Sequence, residues 1–222
     1  MCGRFSQTKQ ADQLATTFRL TTTPDWQPRY NLAPTQLVPA LVQAEGSLWQ
    51  FQKLRWGLIP SWSKDQAIGA RLINARAETV AEKPAFRSAF RQRRCLILAD
   101  GFFEWQKQEK RKQPFYFRQP SGQSFAFAGL WESWKGQDEV IHSCTILTTE
   151  ANHLMAPVHN RMPVIICAAD YETWITPTTP PDSLHSLLQP IADDFLESYP
   201  VSPVVNTPKN DEPTCIEPVV VQ

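Results

Sequence analysis

Apolar residues in the middle of this chain fall into short runs and alternations of strand length, separated by proline, glycine and charged turns. The segments QLVPALVQ (36–43) and LWQFQKLRWGLIP (48–60) read as strands. So do CLILADGFFEW (95–105), PFYFRQ (114–119), SFAFAGLWES (124–133), VIHSCTILTT (140–149) and MPVIIC (162–167), all rich in β-branched and aromatic residues. Pro39 limits the first strand to an edge or a bulge, and residues 119–123 carry the Pro, Ser and Gly of a hairpin turn. Helical spacing is confined to short stretches. Ala11, Leu14, Ala15 and Phe18 predict a helix over 8–19, and Phe86, Ala89 and Phe90 behind Pro84 predict a short one over 83–94. Further short helices are predicted at 151–159, ended by Pro157, and at 168–175 and 182–195. The proline-rich stretch 21–34 reads as loop, and 176–182 and 200–218 read as ordered excursions over the surface. With no repeat and no linker, the pattern predicts one α+β domain over residues 1–222, with a β-rich, mostly antiparallel, barrel-like core and short peripheral helices.

Composition agrees with that picture and narrows the setting. A hydrophobic share of 42%, with 8 Trp, 12 Phe and 4 Tyr, fills a substantial core. No apolar run approaches membrane-spanning length, and the first residues lack a signal peptide's basic and apolar regions, so a cytoplasmic protein is expected. The cysteines at 2, 95, 144, 167 and 215 never form a C-x-x-C pair, which reads as reduced thiols and argues against structural zinc. Cys95 and Cys167, inside apolar runs, are expected in the core. Net charge is zero but uneven: residues 83–118 hold ten Lys/Arg against three Asp/Glu, and residues 170–222 hold one Lys against nine Asp/Glu. The basic part suits a polyanion; a solvated basic face is the plain alternative.

Cys2 changes the question from fold to chemistry. A small second residue permits enzymatic removal of Met1, which would leave an α-amine (reference pKa ~7.7–8.0) and a thiol (~8.5) on adjacent carbons of one residue. Four short stretches hold polar residues that their apolar surroundings leave unexplained. In CGRF, Gly3 allows close backbone approach, and Arg4 is either a phosphate or carboxylate clamp or a surface residue. In RLINARAET, Asn74 suits a buried amide at a strand end, with Arg76 two residues on and therefore on the same side; a turn-capping Asn with a surface Arg is the alternative. In ADGFFEWQK, Glu104 lies between Phe103 and Trp105, where desolvation favours the neutral acid form, unless it faces outward. In APVHNRMPVII, His159 could protonate a leaving oxygen and Arg161 could hold a phosphate, although a lone histidine is more often structural. Trp56 is assigned to the core, and Trp62, beside Lys64 on a proline turn, to base stacking.

Taken together, MCGRF, YNLAPTQ, RWGLIPSW, INARAET, DGFFEW, HNRMPVI and VSPVVNTPKND resemble the SRAP (SOS response-associated peptidase) family of abasic-site processing proteins, over nearly the whole chain. The resemblance implies an α+β fold with a basic groove, and covalent capture of abasic sites in single-stranded DNA during the DNA damage response. It places the nucleophile on Cys2, the other catalytic positions on Asn74, Glu104 and His159, and DNA contacts on Gly3, Arg4, Trp62, Arg76, Trp105 and Arg161. Where some relatives carry a second aromatic after the residue matching Trp62, this chain has Ser63, a smaller wedge. The implied product is a thiazolidine, and the implied chemistry needs no metal or organic cofactor. The expected protein is a monomer that joins the nucleoid when bound to DNA and has no membrane partner. Two competing functions remain: an N-terminal-cysteine (auto)peptidase, and a non-covalent single-strand binder.

Overall fold

The computed structural model describes residues 2–44, 47–109 and 111–220. Met1, whose removal the sequence suggests, lies outside them. Thirteen strands dominate the described residues: β1 (Phe5–Gln7), β2 (Arg29–Leu32), β3 (Leu37–Ala44), β4 (Ser47–Trp56), β5 (Asn74–Arg76), β6 (Arg94–Ala99), β7 (Gly101–Lys107), β8 (Lys112–Arg118), β9 (Phe125–Lys135), β10 (Val140–Glu150), β11 (Arg161–Pro163), β12 (Ile165–Ile166) and β13 (Glu197–Pro200). Four short helices, α1 (Ala11–Thr17), α2 (Arg87–Gln92), α3 (Tyr171–Ile175) and α4 (Pro181–Ser186), lie among them. The α+β, β-rich class expected from the sequence is the class found.

Five strands in the order β10-β4-β3-β6-β9 close into a barrel, because β9 also pairs with β10. All its pairings are antiparallel except the short parallel contact of β4 with β10 at Arg55–Ser143 and Trp56–Cys144. Closure removes the unpaired edges that would otherwise template aggregation. β5 and β11 extend the barrel wall at β10, and β12 does so at β9. A second antiparallel sheet, β13-β8-β7-β1-β2, packs on it. Aromatic rings join the two: Phe5 meets Trp56 and Phe127 edge-on at 5.2 and 5.6 Å, and Phe102, stacked on Phe117 within the second sheet, meets Phe127 edge-on at 5.9 Å. On its far face the second sheet covers a smaller core of Phe103, Tyr116, Val201, Val205 and Cys215.

One apolar stretch read as a single strand is two. CLILADGFFEW leaves the barrel at Asp100 and continues as β7 in the second sheet. The break is held by polar bonds: Asp100 Oδ1 accepts from Ser6 Oγ at 2.7 Å, and Oδ2 accepts from the Thr8 backbone N–H at 2.9 Å. Gly101 follows because the Tyr116 ring occupies the place of a side chain there, fixed by a 2.7 Å bond between Tyr116 Oη and Ser6 Oγ. Gly101→Ala forces that buried ring aside and is expected to cost roughly 3 kcal/mol or more, read as a fall in the urea midpoint. An unchanged midpoint would show that the ring moves freely.

Other differences have local causes. The segment 21–34, read as loop, contains β2, a strand made by pairing with β1 rather than by its own composition. The first helix is shorter than 8–19; Arg19, at φ 51°, leaves helical conformation. Residues 151–159 form turns and not a helix, with Asn152 Oδ1 accepting from the Met155 N–H at 3.0 Å. The 182–195 helix ends at Ser186, four residues before Pro190. Cys95 is in the core, but Cys167 is exposed, because the apolar strand ends one residue before it. Among the described residues no helix is long and apolar enough to cross a membrane.

Candidate active site

The chain start is built into the sheet. β1 lies between β2 and β7, and Phe5 is locked among core aromatics, so residues 2–4 have little freedom. Cys2 is fully buried. Its carbonyl accepts a 2.8 Å hydrogen bond from Nδ2 of Asn74, the first residue of β5. Asn74 Oδ1 is buried and has no hydrogen-bond partner among the described residues.

Glu104 reaches the same place from β7. Alternation puts Phe102 and Glu104 on one face, and the carboxyl is only 3% exposed. It therefore points inward, which its aromatic neighbours alone left open. In the chain with Met1 in place the Cys2 thiol is pushed well above its usual range, first by burial and then by the nearby Glu104 charge. That thiol is neutral and a poor nucleophile until its surroundings change.

An open cleft of about 500 Å3 is lined by Arg4, Glu104, Trp105, Lys112, His159 and Asn206. His159 Nδ1 lies 3.0 Å from the Arg161 backbone N–H and 3.2 Å from the Arg161 carbonyl; in the tautomer that accepts the shorter bond, the proton of the neutral ring is on Nε2. Arg4 serves the architecture as well as the cleft. Its Nη1 donates to Asn31 Oδ1 at 2.9 Å and to the Val205 carbonyl at 2.8 Å, and its guanidinium lies 5.8 Å from the Trp105 ring centroid. Trp105 Nε1 donates to Asn206 Oδ1 at 2.7 Å.

Of the positions singled out in the sequence, then, Cys2, Arg4, Asn74, Glu104, Trp105 and His159 meet in one region. Gly3 adjoins it; its carbonyl accepts from Arg4 Nε at 3.3 Å. Arg76 is exposed on β5, on the same side as Asn74. Arg161 does not line the cleft. It is committed to a bidentate ion pair with Glu78, at 2.6 and 3.0 Å, and donates to the Thr148 carbonyl at 2.6 Å. That pair ties the INARAET and HNRMPVI segments together and draws the Glu78 carboxyl below its usual range. Trp62 is 62% exposed, outside the cleft lining, whereas Trp56 is buried.

Sequence reasoning missed the residues that build the far wall. Asn31 is buried and its Nδ2 faces the carbonyls of Val205 (3.1 Å) and Asn210 (2.6 Å). Asp211 accepts the backbone N–H groups of Tyr30 and Asn31 at 2.6 and 2.9 Å and pairs with Arg29. These bonds fasten the 203–211 segment to β2 and so bring Asn206 to the cleft. The signal was present: an Asn inside an apolar run, as at Asn74, and a polar cluster in VVNTPKND. Lys112 gave none, being one charge in a basic run.

Fold and site together define an α+β barrel protein with a cleft whose Glu104 wall adjoins the buried Cys2. The chain belongs to the SOS response associated peptidase (SRAP) family, whose family model matches residues 1–208. It is 44% identical to the abasic site processing protein YoqW of Bacillus subtilis over 98% of this chain and 99% of that one. It is also 31% identical to the abasic site processing protein HMCES of Xenopus tropicalis, over 99% of this chain and 79% of that one. A crystal structure of a Bacteroides thetaiotaomicron protein superposes with a TM-score of 0.88 at 25% identity, covering 99% of this chain and all of the other.

Proposed function

We propose that this chain processes abasic sites by capturing them covalently in single-stranded DNA, through the amine and thiol of Cys2 after removal of Met1. The observation that carries the reading is the fixing of the Cys2 carbonyl by Asn74 beside the buried Glu104 carboxyl. That arrangement fixes the backbone of the residue that carries both the nitrogen and the sulfur. Family membership and the names of the relatives supply the substrate.

The steps balance without an oxidant. The deoxyribose opens to its aldehyde as the bond from the anomeric carbon to the ring oxygen breaks, His159 Nε2 giving its proton to the ring oxygen and taking the one released by the anomeric hydroxyl. The Cys2 amine adds to the aldehyde carbon, and the carbonyl oxygen leaves as water with a proton handed on by Glu104. The thiol sulfur then adds to the imine carbon while its proton passes to nitrogen, closing a five-membered thiazolidine. Closure is intramolecular and gains a large proximity advantage. A neutral thiol suits this order, since the amine attacks first. Asn74 Oδ1 accepts from the amine or a sugar hydroxyl. Arg4 and Arg76 face flanking phosphates, Gly3 lets the strand approach, and Trp62 and Trp105 stack on bases. Arg161 acts at one remove, by holding the His159 turn against β10.

The test is a single-stranded oligonucleotide bearing one abasic site, resolved on a denaturing gel and by mass spectrometry. The expected product is heat-stable, with the summed mass of DNA and Met1-free protein less one water. A variant whose Met1 is retained, made by inserting a bulky residue before Cys2, is expected to give none. Equal adduct from that variant, or peptide cleavage with no adduct, overturns the reading.

A further inference from the structure

The β7–β8 hairpin carries an arrangement that the fold by itself does not favour. Its register pairs Trp105 with Pro114 and Lys107 with Lys112. Cross-strand partners share a face, so Trp105, Lys107 and Lys112 lie on one side of the hairpin. Both lysines are exposed, and among the described residues neither has a carboxylate partner. Like charges placed directly opposite destabilise an antiparallel pair unless an anion lies between them. The face begins at the cleft, which Trp105 and Lys112 both line, and Trp105 is held by its bond to Asn206. A fixed aromatic followed by paired cations matches a nucleic-acid strand, whose bases stack and whose phosphates repeat beside them.

We propose that this hairpin face is a docking arm for the sugar–phosphate backbone of single-stranded DNA leaving the cleft, with Lys107 and Lys112 flanking a phosphate. The proposal rests on the functional reading above, but its test does not need the capture chemistry. The full-length protein is titrated with a fluorescent oligothymidine that has no abasic site, at several salt concentrations. Each lost single-strand phosphate contact lowers the slope of log affinity against log salt by about 0.7. Because the two lysines share one phosphate, Lys107→Gln/Lys112→Gln is expected to reduce the slope by about 0.7 and to weaken low-salt binding several-fold. Its melting temperature should equal or exceed that of the parent, because the repulsion is gone. The control pair Lys83→Gln/Lys135→Gln, exposed and outside the cleft lining, should leave the slope unchanged. An unchanged slope in the hairpin variant, or the same loss in the control, overturns the arm even if abasic DNA is captured normally. A slope loss confined to the hairpin, with no adduct from abasic DNA, leaves the arm standing and removes the capture chemistry.

Discussion

Cys2→Ala is expected to lower the yield of heat-stable adduct by about 100-fold or more, while leaving an N-terminal amine in the same place. Alanine still permits Met1 removal, so the first bond, amine to aldehyde, can form. Without sulfur the reaction stops at the imine, which promotes β-elimination of the strand's phosphate. The variant should therefore nick abasic DNA that the parent protects, and borohydride reduction should recover a covalent product. The magnitude follows from the loss of an intramolecular ring closure, a step that gains several orders of magnitude from proximity. A heat-stable, unreduced adduct at parental yield would show that Cys2 is not the trap.

Glu104→Gln is expected to slow adduct formation by about 100-fold, within the range usual for a positioned proton-transfer group. The amide keeps the size and hydrogen-bonding reach of the carboxyl but cannot pass a proton to the departing oxygen. Because the same group serves both directions, reversal should slow by a similar factor and the final extent of capture should change little. Removing the carboxylate also removes one cause that raises the Cys2 thiol, so the thiol titrates lower in the variant. A gel time course measures both rates. A formation rate within twofold of the parent would restrict Glu104 to packing.

Much of this candidate site is visible before folding because its residues are unusual in their sequence context. A cysteine behind the initiator methionine, an Asn closing an apolar pair and a Glu between two aromatics are each unexpected where they stand. Their companions are marked only as polar residues in apolar or proline-rich surroundings, and their roles are not readable locally. Asn31 and Asp211 act by fastening the 203–211 segment to β2, a contact between positions about 180 residues apart that no local pattern encodes. Arg161 illustrates the reverse case: a basic residue beside a histidine invites a phosphate, yet Glu78, 83 residues away, already occupies its guanidinium. Local signals also misplaced element ends, as at Asp100, where one apolar run serves two sheets.

Residue type and short-range periodicity suffice for the β-rich class and the aromatic core, and they mark Cys2 as a chemical candidate. The direction Glu104 faces, the grip of Asn74 on the Cys2 carbonyl and the wall that the C-terminal segment gives the cleft arise in the folded molecule. Those facts depend on strand register and on hydrogen bonds between distant segments, which form when the sheets close and not before.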